Sequence, residues 1–194
     1  MPPHIVILTG PLGSGKTTAC RHLADWARQR KLDCAGIVCP ARFDGERKVG
    51  IDLLNLRTGE CRPLAEADNQ PATLRTTRYR FNAGVMAWGA ASLDAACPCD
   101  VLIVDEIGPL ELERGQGWVN ALKVLREGQF DVAVVVVRPS LVDAFRAAVG
   151  DVPLSLFTLP FSQPGDHPLT DILTRMKGFA EYTLDSTIAK HKRI

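Results

Sequence analysis

One stretch constrains this chain more than any other: Gly10-Pro11-Leu12-Gly13-Ser14-Gly15-Lys16-Thr17, which follows an apolar run at residues 5–8 and precedes a helical pattern at residues 17–29. A short apolar run closed by Thr9-Gly10 predicts a buried strand that enters a tight loop. Beyond the loop, Ala19, Leu23, Trp26 and Ala27 recur at the spacing of one helical face, with Arg21, Asp25 and Arg28 free to face water. Strand, glycine-rich loop and helix start, in that order, turn successive backbone N–H groups toward a common centre, and the helix N-terminus adds a field that favours anions. A plain glycine-rich turn would need neither the lysine nor the hydroxyl. With both present at GxxxxGK[ST] spacing, the stretch reads as a phosphate-binding loop. Lys16 then supplies a positive charge for the β- and γ-phosphates of a nucleoside triphosphate, Thr17 offers a hydroxyl to Mg2+, and Thr18 reaches the α-phosphate.

A second apolar run, residues 101–104, ends in Asp105-Glu106 and then Gly108-Pro109. Carboxylates at the end of a buried strand complete such a site: Asp105 orders the Mg2+ and its waters, and Glu106 orients or deprotonates a water aimed at the γ-phosphate. An isolated Asp-Glu pair more often caps the next segment; its place after a buried strand, in a chain with the loop above, favours the metal-site reading. Charge on the transferring group also calls for an arginine, and Arg42, Arg47, Arg78, Arg80, Arg114 and Arg138 are candidates. Arg138 is preferred as a nucleotide contact because it follows the buried run at residues 132–137.

The remaining pattern alternates strands and helices. Strands are expected at residues 34–39 and 154–159, and helices at 83–96 with Asn82 as N-cap, at 117–126 and at 140–149. Residues 42–65 carry the turn dipeptides Asp44-Gly45 and Thr58-Gly59 around the alternating Val49, Ile51 and Leu53, and read as an inserted β-ribbon. Residues 75–81 are basic and extended, residues 169–179 read as a further helix in an extension at 160–194, and residues 190–193 as a frayed end. The fold class is α/β, a three-layer P-loop NTPase fold with a mainly parallel sheet, built as a single domain over residues 1–194.

Composition narrows the partners. A net charge of +1 marks no whole surface for nucleic acid, and the cluster from Arg75 to Arg80 lacks the aromatic run that would stack bases, so nucleic-acid binding is open but unsupported. The apolar runs are too short to span a bilayer, and the N-terminus lacks a signal-peptide pattern, so no membrane association and a cytoplasmic location are expected. Six cysteines without paired CxxC spacing read as small buried hydrophobes rather than disulfides or metal ligands.

With these motifs placed, the chain resembles the nucleoside-triphosphatase family first known from thermophiles, also called cancer-related nucleoside triphosphatases. The resemblance covers residues 4–140. It rests on residues 10–18, on Gly45-Glu46-Arg47-Lys48-Val49-Gly50-Ile51, on Pro63-Leu64-Ala65, and above all on Val104-Asp105-Glu106-Ile107-Gly108-Pro109-Leu110-Glu111-Leu112. Two positions depart from the family pattern: Leu110 stands where methionine is usual, and residues 39–44 replace an acidic-arginine stretch. The resemblance implies slow, Mg2+-dependent hydrolysis of NTP to NDP and phosphate, with ATP, GTP, CTP and UTP all accepted. Two other readings of the residues stay open: a P-loop kinase acting on a nucleotide or polynucleotide hydroxyl, and a nucleotide-gated binding module.

Overall fold

The structure, a computed structural model, describes residues 3–67 and 79–159. Its centre is a run of five parallel strands in the spatial order β2, β7, β8, β1, β9: β2 at Cys34–Val38, β7 at Cys99–Ile107, β8 at Phe130–Val137, β1 at His4–Thr9 and β9 at Leu154–Thr158. Strict alternation along these strands divides the core in two. Ile5, Ile7, Leu102, Val104, Ala133, Val135 and Val137 face one layer, whereas Val6, Leu8, Val101, Ile103, Val132, Val134 and Val136 face the other. A slip of one residue would exchange the two sets, so with helices on both faces the register is held by packing on each side.

Helix α1, Lys16–Gln29, covers one face with Ala19, Cys20, Leu23, Ala24, Trp26 and Ala27. The other face is covered by α2 at Ala83–Asp94, α4 at Asn120–Glu127 and α5 at Val142–Val149, which bury Val85 and Leu93, Ala121 and Leu125, and Phe145 and Val149. The three layers agree with the sequence reading, as does the N-cap of α2: the Asn82 Oδ1 accepts from the Gly84 and Val85 amides at 2.9 and 3.2 Å. The expected helix at 117–126 begins later, at Asn120, because Gly117 takes a positive φ of 68° and Trp118 turns into the core. An unanticipated short helix, α3 at Pro109–Leu112, fills the gap after β7. The expected helix at 169–179 and the end at 190–193 lie outside the described residues.

The inserted ribbon is a true antiparallel unit, but it does not stand apart from the sheet. Strands β3 (Ala41–Asp44), β4 (Arg47–Asn55), β5 (Cys61–Ala67) and β6 (Tyr79–Phe81) pair in series, and β4 joins β2 through Ile37 with Asn55 and Val38 with Leu54. Among the described residues the antiparallel strands therefore extend the parallel core into one nine-stranded sheet. The cysteine expectation also needs correction: Cys20 and Cys34 are buried, but Cys61 is exposed at the start of β5.

Where β2 meets β7, Gly36 has φ 105°, and a Cβ there would lie 2.0 Å from the Ile103 carbonyl oxygen. This close approach sets the end of β2 beside the end of β7. Gly36→Ala should therefore lower stability by more than about 3 kcal/mol, through overlap and a disfavoured φ together. Urea unfolding measures it, and an unshifted midpoint would refute this account of the contact.

Candidate functional site

Parallel strands bring their carboxyl ends to one edge, and that edge gathers the sequence-predicted residues. The loop after β1 uses glycines at positive φ, Gly13 at 78° and Gly15 at 86°, to reverse the chain into α1, whose first residue is Lys16. Gly10 is buried, Pro11, Ser14, Lys16 and Thr17 are partly buried, and Leu12, Gly13, Gly15 and Thr18 are exposed. Lys16 folds back over the loop: its Nζ donates to the Gly10 carbonyl at 2.9 Å, the Pro11 carbonyl at 2.7 Å and Ser14 Oγ at 3.4 Å. Desolvation lowers the Lys16 pKa, the carboxylates of Glu106 and Asp105 act in the opposite sense, and Arg138 lowers it further.

Asp105 and Glu106, joined by a cis peptide, sit in different surroundings. β7 loses register with β8 between Val104 and Ile107, so the two acids occupy an irregular end of the strand. Asp105 is buried, only 3% exposed. Its carboxylate accepts from the Thr17 hydroxyl and, at 3.3 Å, from the Cys39 amide at the end of β2. Burial pushes its pKa up to about 6, opposed by those two hydrogen bonds, raised again by Glu106 and lowered by Lys16. Glu106 keeps 35% of its side chain exposed and meets Arg138, whose Nε and Nη2 both lie 2.8 Å from Glu106 Oε1.

Arg138 reaches that position because β8 lies beside β7 and delivers the residue after Val137 to the same edge. Arg42 is instead held by Asp52 at 3.1 Å and Arg80 by Glu66 at 3.5 Å, both on the antiparallel strands. Arg47 and Arg114 are exposed, on β4 and just past α3, and Arg78 lies outside the described residues.

Sequence reasoning gave Glu111 no role, yet it is buried in the loop that follows the acidic pair. Its Oε2 accepts from the Gly108 amide at 2.9 Å and its Oε1 from the Trp118 amide at 3.0 Å. A glutamate three residues into a helix, reaching back to the amide just before it, is half of a capping box. The run Gly108-Pro109-Leu110-Glu111 carries that signal, with proline at the first helical position.

The Thr17 hydroxyl and the Asp105 carboxylate form a pair of oxygen donors within hydrogen-bond reach, suited to a small hard cation that keeps several waters. Among the described residues no group of three or more His, Cys, Asp or Glu side chains is arranged to hold a metal, so such a cation would draw its remaining ligands from water and a bound phosphate. No helix among the described residues is long and apolar enough to cross a membrane.

Comparison with known proteins finds relatives of this chain. A family profile described as NTPase matches residues 5–159. A nucleoside-triphosphatase THEP1 from Methanopyrus kandleri is 35% identical over 123 residues, which are 62% of this chain and 66% of that protein. One from Methanosarcina barkeri is 30% identical over 138 residues, 70% of this chain and 77% of that protein. Among solved structures, a human cancer-related nucleoside triphosphatase aligns with TM-score 0.66 at 22% identity, covering 90% of this chain and 98% of that one. The THEP1 of Aquifex aeolicus aligns at 0.62 and 21%, covering 88% and 97%. At those identities the structural likeness speaks for the fold, which is the P-loop α/β fold expected from the sequence.

The buried Asp105 has a stability consequence. Its folded pKa of about 6 lies above the ordinary value of 3.8, so the folded chain holds this proton more tightly than the unfolded one. The contribution is present in full below the unfolded value and is lost as pH rises through about 6. Without nucleotide or divalent metal, Asp105→Asn should thus be more stable than the parent at about pH 8, by on the order of 1–3 kcal/mol, with the gap closing toward pH 4. Urea denaturation at both pH values tests this; a variant less stable at the higher pH would mean that the carboxylate's hydrogen bonds outweigh its burial.

Proposed function

The chain belongs to the NTPase family, a family of nucleoside-triphosphatases, and from that premise we propose that it hydrolyses NTP to NDP and phosphate with Mg2+ and broad tolerance of the base. The observation that carries the reading is the divergence of two adjacent carboxylates: Asp105 buried against Thr17, Glu106 reaching solvent against Arg138. One suits a metal and the other suits a water.

In this reading the amides at the start of α1 and the Lys16 ammonium receive the phosphates. Nζ exchanges the Gly10 and Pro11 carbonyls for β- and γ-phosphate oxygens, which are the stronger acceptors because they are charged. Thr17 and Asp105 would hold Mg2+, which supplies neutralisation of charge on the β- and γ-phosphate oxygens. Glu106 accepts a proton from water as the water oxygen bonds to the γ-phosphorus; the bridging P–O bond breaks, and its electron pair leaves on the β-phosphate of NDP. Arg138 has two N–H donors on one Glu106 oxygen, so it can orient that carboxylate and share its charge with the transferring group.

Base tolerance is supported by what the site residues are: every one named acts on phosphate, metal or water, and the sequence has no base-reading segment of the NKxD type. ATP, GTP, CTP and UTP are therefore all proposed substrates. A reducing cytoplasm is the proposed compartment, supported by six free thiols.

Phosphate release with each of the four triphosphates, with and without Mg2+, tests the function directly. Glu106→Gln should lower kcat by about 10²-fold or more while KM changes little, since the loop contacts are intact. Full turnover in that variant would remove Glu106 from its role. Lys16→Ala should abolish tight triphosphate binding in a titration with a non-hydrolysable analogue, and an unchanged affinity would overturn the shared premise of the site.

A further inference from the structure

Glu111 carries a buried carboxylate that the hydrolytic reading above does not use. Only 7% exposed, it spans two amides that lie ten residues apart in sequence, Gly108 on one oxygen and Trp118 on the other. The fit around it is close on the Gly117 side and ordinary on the Gly108 side. A Cβ on Gly117 would fall 2.1 Å from Glu111 Oε1, and one on Gly108 would fall 3.8 Å from Glu111 Oε2. The same Gly108 position lies 3.4 Å from Glu106 Oε1 and 4.0 Å from Arg138 Nε. Gly108 thus lies in the turn two residues after Glu106, between the Glu106 and Glu111 carboxylates, and Glu111 pins that turn through the Gly108 amide.

The pinning has an anchor in the fold. Trp118 is buried, and its indole N–H donates to the Met86 carbonyl of α2 at 3.0 Å. Its ring also packs against Gly89 of the same helix, where a Cβ would fall 2.8 Å from the indole nitrogen. From α2 to Trp118, to Glu111, to Gly108, the chain of contacts ends two residues after Glu106 in sequence. Burial raises the Glu111 pKa while the hydrogen bonds from the Trp118 and Gly108 amides lower it, as befits a carboxylate held by the amides it organises.

We propose that Glu111 is a positioning residue for hydrolysis: by clamping the Gly108 and Trp118 amides it holds the turn that presents Glu106 to the attacking water. The proposal rests on the hydrolase reading and on Glu106 as the proton acceptor. A glutamine at 111 has one carbonyl oxygen where two amides need acceptors, and its NH2 group would face the other N–H. The turn then loses one tether, and a small displacement of a catalytic group is enough to cost about 10²-fold in rate.

The test is a double-substitution cycle on the full chain. Glu111→Gln should lower kcat about tenfold to a hundredfold with KM for the triphosphate within about twofold of the parent, because the loop at residues 10–17 is untouched. Gly117→Ala, which pushes on the same carboxylate from outside, should give the same split between kcat and KM. Glu106→Gln combined with Glu111→Gln should be no slower than Glu106→Gln alone, since Glu111 acts only through Glu106. Parental kcat in Glu111→Gln, or losses that multiply in the double variant, would overturn the proposal while leaving the hydrolase reading intact. Absence of phosphate release by the unsubstituted chain would instead overturn the hydrolase reading, and this inference with it.

Discussion

Asp105 places a carboxylate where water is scarce, and much of the architecture around the site answers that one demand. A buried charge is tolerable only when hydrogen bonds and opposite charge meet it. Here the Thr17 hydroxyl and the Cys39 amide meet it from the start of α1 and the end of β2, and the charge of the Lys16 ammonium acts on it from a distance. Each of those partners is delivered by strand pairing: β2 lies directly beside β7, and β1 lies beyond β8. The compensation is incomplete, which is why the carboxyl group is pushed up to about 6. In the proposed reading, a cation beside this carboxylate would supply the charge that the protein withholds.

Around this buried acid, the neighbouring cations are each paired. Lys16 is satisfied by its own loop and Arg138 by Glu106, so neither cation is stranded when phosphate is absent. The Arg138–Glu106 pair is largely open to water and adds little to stability; its value lies in where it sets the two groups. Glu111 belongs to a different order of rigidity. It is buried and doubly hydrogen-bonded, and it ties the turn after β7 to α2 through Trp118. The proposed site thus sets the paired charges of Lys16 and Arg138 beside a turn that Glu111 ties to α2 through Trp118.

Much of this was legible in the residues. Short apolar runs marked β1, β7 and β8; helical spacing marked α1; Asn82 marked the start of α2 through a cap that the structure reproduces. The turn dipeptides located the antiparallel strands, but local pattern says nothing about which edge a ribbon joins. Only the pairing of β4 with β2 reveals that the ribbon continues the sheet. Glu111 escaped notice for a related reason: its capping pattern is visible, but its second partner, Trp118, is brought to it by a turn at Gly117 that no periodicity announces.

By itself the sequence determined the loop between β1 and α1, because an eight-residue stretch carries its own glycines, lysine and hydroxyl residue, the pattern on which the proposed phosphate site rests. It also determined that two acids end a buried strand. Tertiary structure decided how those acids differ, one enclosed with Thr17 and the other drawn out to Arg138. That difference depends on which strands flank β7 and on what their carboxyl ends carry, and strand order is set by the packing of the whole sheet between its helices.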